Sequence, residues 1–566
     1  MRRKALAGLM AGLWLMPCWS AAAKAAKKDA PKAATFSKQI PPDQRIQQAL
    51  NRLTFGPRPG DAERVRSVGL KKWIDLQLHP ARIPANPVLE AKLKTLDTLS
   101  MTGAELVTNY PSPQVARLMV SGQLPFPTDP DRRMTIQKIV ARLNRAQGQA
   151  TQTPPVPADL FTPEQLRALR TRTPQQRLAF FGALPPEKQE QVIEALPGVR
   201  QALYDSAPPE LRRRIELSAG PAQVVARDLM ESKMLRAIYS DRQLEEVLAD
   251  FWFNHFNVYL DKGADHYLVT EYERDVIRPH VLGKFKDLLE ATAKSPAMLF
   301  YLDNWQSVGP NVSQARAANQ VRRGLNENYG RELLELHTLG VDGGYTQKDV
   351  TEVARCFTGW TILQPQRGGD FVFNPRAHDN GEKVVLGVTI PAGGGMKDGE
   401  KVLDIVAHHP STAHFISREL AQRFVADDPP AALVNRMAQT FLKTDGDLCE
   451  VMKTMLASKE FRSVDAYRTK MKSPFELVAS AVRAEDGQVD YAVSLANQVA
   501  QLGEPLYRKQ EPTGYSNSGR EWVNTAGLLA RMNFALQLAD NRVPGVKVGA
   551  ANVAGIALGS PEFQKH

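Results

Sequence analysis

"PDQRIQQALNRLTFGPRPGDAERVRSVGLKKWIDLQLHP", residues 42–80, sets the fold class. Its apolar residues recur every three or four positions, at Ile46, Leu50 and Leu53, then at Val65, Val68, Leu70, Trp73, Ile74 and Leu76. A helix returns to the same face at that period, so the stretch reads as two amphipathic helices. Pro42-Asp43 is a favourable start, because proline lacks the amide hydrogen that the first helical turn leaves unbonded anyway. Gly56-Pro57-Arg58-Pro59-Gly60 cannot continue a helix and joins the two.

The helical pattern returns over residues 222–360 and from Gly399 onward. Strand-like alternation is scarce. The exception is residues 370–390, where Phe371 and Phe373, then Val384, Val385, Leu386 and Val388, flank Asn380-Gly381 as a hairpin turn. Between residues 148 and 215 the chain is rich in Pro, Gln and Arg, and Pro163, Pro174, Pro186, Pro197 and Pro209 fall 11 or 12 residues apart. Proline sits at the first helical position and breaks what precedes it, so this insert reads as a run of two-turn helices. The predicted class is mainly α: a multi-helix body with a Pro-punctuated helical insert and one small β-hairpin. The organisation follows as a signal peptide (1–25), a flexible leader (26–41), an N-terminal helical part (42–147), the insert (148–215), the main body (216–540) and a C-terminal tail (541–566).

The first residues read as an export signal: "MRRK" is basic, "ALAGLMAGLWLMP" is apolar but too short to span a bilayer, and "CWSAAAKAA" offers small residues for cleavage. The mature protein is expected to be periplasmic or secreted, with no transmembrane span. The formal charge of +11 falls to +7 once the four basic residues Arg2, Arg3, Lys4 and Lys24 leave with the signal. The remaining basic residues are interleaved with acids, which argues against nucleic acid and leaves an anionic glycan or envelope surface open. Cys356 and Cys449 remain after cleavage; in an oxidising compartment they could pair, but nothing in the sequence places them close, and two small buried side chains explain them equally. No P-loop, GxGxxG, HExxH or GxSxG motif is present, and "GYSNSG" at 514–519 only superficially resembles the last.

Three clusters could carry chemistry. In "NENYGRELLELHTLGVDGGYT", residues 326–346, Asn326 or Asn328 can cap a helix that Gly340 ends, and Thr346 with Asp349 can cap the next. Glu327, Arg331 and Glu335 share a face at i, i+4 and i+8, with Glu332 beside Glu335 at i+3. Neighbouring carboxylates flanked by arginine can bind a cation or act as acid and base; they can equally form an ion ladder between helices. In "FWFNHFNV", Asn254 and His255 lie amid Trp252, Phe253 and Phe256, surroundings that tune an imidazole or simply bury one. In "NPRAHDNGEKVVLG", His378-Asp379 lies at the expected hairpin turn, with Lys383 nearby. His409 and His414 are spaced poorly for a metal.

Taken in order, "LNRLTFGPRPGDAERVRSVGLKKWIDLQL", "FWFNHFNV", "PAMLFYLDN", "NENYGRELLELHTLGVDGGYTQKDVTEVARCFTGW", "HDNGEKVVLG" and "REWVNTAGLLARMNFA" resemble the DUF1800 family of exported bacterial proteins, from about residue 43 to about residue 540. The family's function is unknown. Its members are often encoded beside DUF1501 proteins, which resemble sulfatases and alkaline phosphatases. The resemblance carries onto Asn254, His255, Asp303, Asn304, Asn326, Glu327, Asn328, Arg331, Glu332, Glu335, His337, His378, Asp379, Trp522 and Asn524. Gly330 stands where many members have alanine, a difference expected to be harmless.

Two functions are expected from these features. One is an exported enzyme acting on a glycan or other anionic polymer. Glu332, Glu335, Arg331, His255, His378 and Asp379 would be catalytic, with Asn254, Asn326, Asn328, His337 and Trp360 binding substrate. A divalent metal would suit the carboxylates, though the sequence names no ligand set. The other is a non-catalytic scaffold or partner for a DUF1501-like protein. Convergence of His255, Glu332, Glu335 and His378 at one cleft separates the two.

Overall fold

The computed structural model describes residues 36–148, 162, 164, 171–195, 197–204, 207–309, 324–549 and 555–566. The signal segment, most of the leader and the early insert around Pro163 lie outside the described residues.

Among the described residues helices dominate, and the sheets are three two-stranded pairs. The opening stretch forms Pro42–Leu53 as expected, but its second half is split into Asp61–Val68 and Leu70–Leu78. Gly69, at φ +88°, breaks it, a conformation that costs glycine little and other residues much. In the insert, helices begin at Pro174, Pro186, Pro197 and Pro209.

The β excursion differs in register from the expectation. Trp360–Ile362 pairs with Phe371–Phe373, while Lys383–Val385 pairs with Val388–Ile390 across Leu386-Gly387. Both turn residues have positive φ, +49° and +78°, which matches the right-handed twist of a tight hairpin. The strained Leu386 is held because its amide donates to Asp349 Oδ1 at 2.8 Å. Asn380-Gly381 is instead part of a side-chain turn, with Gly381 N donating to Asp379 Oδ1 at 2.9 Å.

One large apolar core joins segments from Phe36 to Leu558. The first helix is drawn so deeply into it that Arg52 is only 1% exposed, donating to the carbonyls of Val425 and Ala466. The end of the described chain returns to the same place, with His566 N donating to Lys470 O at 2.9 Å. Near the centre, Arg278 lies between two buried carboxylates, at 2.8 Å from both Glu246 and Glu273. Removing it strands both charges in a medium that solvates them poorly. Arg278→Ala is therefore expected to lower unfolding free energy by about 3–5 kcal/mol, read from the midpoint of chemical denaturation.

Candidate functional site

The site begins with Asn254, in the last turn of the Gln243–His255 helix. Its side chain donates to the Tyr515 carbonyl and accepts from the Tyr515 amide, both at 2.6 Å. One residue earlier, Gly514 (φ +67°) approaches so closely that a Cβ there would sit 2.2 Å from the Asn254 carbonyl oxygen. Asn257 donates to the carbonyls of Lys509 and Glu511 at 2.9 Å, and Tyr301 Oη donates to Gln510 O at 2.7 Å. Tyr507, at φ +60°, donates its hydroxyl to Glu273, one of the acids that Arg278 holds. The asparagines of "FWFNHFN" thus strap down the loop from Glu504 to Trp522.

Strapped in this way, the loop forms one wall of a cleft of about 60 Å³, room for a few waters or one small chemical group. Its charged lining is paired: Lys233 with Asp250 at 2.7 Å, and Arg423 with Glu476 at 2.6 Å, while Lys470 meets Asp427 at 2.6 Å. Three aromatic rings, of Phe253, Phe475 and Tyr507, surround the Lys233 ammonium at 4.8–5.5 Å. Tyr515 and Trp522 supply an amphipathic rim, ring centroids 6.0 Å apart. Ser516 of the "GYSNSG" stretch lines the cleft, but it stands on a loop with no sheet beneath it.

The two buried glutamates here have opposite characters. Burial, reinforced by Asp250, pushes the Glu504 carboxyl up to about 8 although it accepts from Phe475 N at 2.8 Å. Burial also pushes Glu476 upward, but Arg423 and the neighbouring basic groups outweigh it and hold that carboxyl down at about 2. Burial lowers Lys470 to about 8 against the pull of Asp427.

The sequence-expected residues fall in three places. Asn254 lines the cleft, and His255 turns away from it, its Nε2 at 3.1 Å from the His337 carbonyl. Burial lowers His255 to about 4 and His337 to about 3, and His337 Nε2 has no hydrogen-bond partner.

The second group is the 326–337 helix. The N-cap position is held by Glu327 without a side-chain cap, and Asn326 Oδ1 makes a turn just ahead of it by accepting from Asn328 N at 2.8 Å, while the Asn326 and Asn328 amides reach the Leu302 carbonyl. After Glu332 the helix widens to a π turn over Leu333–Thr338, with Leu339 N bonded five residues back to Leu334 O at 2.9 Å. The extra residue rotates Glu335 off the expected shared face. Arg331 accordingly turns to Gln347 at 2.9 Å and to Glu327 at 3.8 Å, and Glu335 accepts from Tyr345 at 3.2 Å. Burial and the adjacent Glu335 raise the Glu332 carboxyl above its ordinary value. No hydrogen bond or ion pair joins either glutamate to His255. Gly330 is tighter than expected: an alanine Cβ would lie 3.0 Å from the Val350 carbonyl and 3.1 Å from Ala354 N.

The third group is closed. His378, 3% exposed, lies between Thr358 O at 2.8 Å and Asp398 Oδ2 at 3.1 Å, and Lys383 Nζ meets the same Asp398 oxygen at 2.6 Å. Asp379 pairs with Arg355 at 2.7 Å. Trp360 is fully buried, pressed against Gly399 and edge-on to Phe357 and Phe371. His378 therefore does not converge with His255 or the glutamates. Among the described residues no group of three or more His, Cys, Asp or Glu is arranged to hold a metal ion. Cys356 and Cys449 are free thiols, and burial pushes Cys356 up to about 12.

Sequence reasoning missed Lys233, Asp250, Arg423, Lys470, Glu476 and Glu504. They come from separate helices and loops and share no local spacing; the pointers were Asn254, whose partner lies 261 residues away, and Trp522.

The pattern of the family described as "Protein of unknown function (DUF1800)" matches residues 48–564. The chain belongs to the DUF1800 family. Its match covers the strap, the cleft, the 326–337 helix and the closed His378 network alike. No curated protein and no solved structure matches the chain. No helix among the described residues is long and apolar enough to cross a membrane.

Two outcomes follow from this geometry. Asn254→Ala should free the loop, raising hydrogen exchange at the Tyr515 amide by tenfold or more, the equivalent of about 1.4 kcal/mol or more. The imidazoles of His255 and His337 protonate near 6.5 when unfolded but stay neutral in the fold down to about 4 and 3. Between those values the unfolded chain binds more protons, so stability falls as pH drops from about 6.5 towards 4. Melting temperature followed across that window should decline, and less steeply in His255→Gln.

Proposed function

We propose that this DUF1800 protein is an exported enzyme that performs general acid–base chemistry on a sugar unit of an envelope or extracellular glycan, in the cleft under the Glu504–Trp522 loop. The observation that carries the reading is Glu504, a buried carboxyl held protonated near neutral pH in an open cleft beside Asp250. A buried carboxyl that keeps its proton near neutral pH can serve as a proton donor to a leaving group. Glu504 is then the donor, and Asp250, fixed by Lys233, is the carboxylate that stabilises positive charge or activates water. Tyr515 and Trp522 offer faces on which a sugar ring stacks. Because each cation in the cleft already faces an acid, a neutral or weakly charged sugar suits it better than a polyanion, with the ring on the Tyr515–Trp522 rim and one substituent entering the 60 Å³ cleft.

Glu332 serves this reading as a flank of the same loop. Burial raises the Tyr301 hydroxyl, with the nearby Glu332 adding to it, and Tyr301 holds Gln510. Export rests on the basic and apolar segment at residues 1–25.

A second reading, a scaffold for a DUF1501-like partner, is favoured by one feature. On the Thr525–Ala539 helix, Leu528, Leu529, Met532 and Leu536 form an exposed apolar stripe that begins just after Trp522. Glu504→Gln separates the two readings. With the enzyme, hydrolysis of peptidoglycan or capsular glycan fragments should fall by about 10²–10⁴-fold while the melting temperature holds. In the wild type the activity should decline as pH rises through about 8, as the donor loses its proton. Unchanged activity in Glu504→Gln would sink the assignment. A chain inactive from the start, which binds a DUF1501-like protein only while Leu529 is not charged, would establish the scaffold.

A further inference from the structure

A second cavity, of about 280 Å³, opens on the far side of the Pro474–Ala484 helix and is lined by Ser480 and Lys472. Their side chains meet inside it, with Lys472 Nζ 3.0 Å from Ser480 Oγ. Ser480 is 2% exposed and Lys472 6% exposed. Lys472 has no ion pair among the described residues, whereas the buried Lys233, Lys383, Arg423 and Lys470 each have one. Its burial instead opposes its charge. The cations Arg468 and Arg531 stand nearby, although Glu476 and the face of the Phe563 ring, 3.8 Å from the nitrogen, favour the ammonium. Burial and those arginines lower Lys472 to about 7, so much of the amine is neutral at physiological pH. Arg531 Nη2 donates to the Lys472 carbonyl at 2.9 Å and Lys472 N donates to Gln564 O at 2.9 Å, which fixes the backbone. On the opposite wall Gly56 packs so closely that a Cβ would lie 2.9 Å from Ser480 Cβ.

We propose that Ser480 and Lys472 form a serine–lysine nucleophilic dyad that accepts short acyl groups from esters entering this cavity. A buried amine that can be neutral is the base such a serine requires. The Ser480 hydroxyl now donates to Leu477 O at 3.0 Å, and rotation about its C–O bond turns the proton toward Lys472. In the reaction Oγ adds to the ester carbonyl carbon and the proton passes to Nζ. The bond to the leaving alkoxide breaks, and that oxygen takes the proton back from Lys472. Water then hydrolyses the acyl-serine, releasing a carboxylic acid and free Ser480. Arg468, which lines the same cavity, is the cation available to the oxyanion. The volume suits an acyl group of a few carbons, smaller than most drug-sized ligands.

The test uses p-nitrophenyl acetate and the full mature chain, read by intact mass and peptide mapping. An acetyl group on Ser480 is expected, absent in Ser480→Ala. Lys472→Arg keeps the charge but cannot give up its proton, and should acylate at least about 100-fold more slowly. The wild-type rate should rise with pH around about 7, a titration shaped by the groups facing Lys472: Glu476, Arg468 and Arg531, with Glu562 and Lys565 on the cavity wall. Ser480→Ala removes one oxygen and keeps the fold testable by its melting curve. Acetyl on Lys472 or on surface lysines alone, no adduct at all, or Lys472→Arg reacting at the wild-type rate would each overturn the dyad.

Discussion

Arg278 is the residue on which the functional half of the molecule depends. It holds Glu246 from one helix and Glu273 from a π-helical turn, and Glu273 in turn accepts the hydroxyl of Tyr507. Charges this deep are tolerated only while each has a partner, so the three groups fix one another's positions. Through Tyr507 that rigidity reaches the Glu504–Trp522 loop, which has little regular structure of its own. Two asparagines finish the work with main-chain bonds, which set position without demanding a matching side chain. The cleft exists because this irregular segment is held against helices.

The same rule of paired burial separates the candidate clusters. His378, Lys383 and Asp398 satisfy one another with almost no exposure, and such a network stabilises a fold but leaves no proton or lone pair for a ligand. The cleft differs in one respect: Glu504 is buried beside another acid instead of a base, so it keeps its proton. Lys472 is its mirror image, a buried base among other bases. Groups whose ordinary charge is opposed by their neighbours are where chemistry is cheapest to start.

The site was legible unevenly. Asn254 stood out because an asparagine inside an aromatic run has no packing reason to be there, and it does line the cleft. The 326–337 helix drew attention through its charges, and the Thr346–Asp349 capping box after it was readable, since caps are local. The π turn was not readable, because a widened helix has no sequence period of its own, and it redirected Arg331 and Glu335. His378-Asp379 looked like a loop pair because its partners, Asp398 and Arg355, lie about twenty residues away on either side.

The sequence by itself determined the class, the helix starts at proline, the break at Gly56–Gly60 and the family. All of these follow from contacts within a few residues or from the periodicity of apolar side chains. Tertiary structure alone decided where the hairpin turns, that Arg52 lies in the core, and which acid keeps its proton. Those outcomes depend on the dielectric and the partners that distant segments bring, and a carboxyl's neighbours in space are not written in its neighbours along the chain.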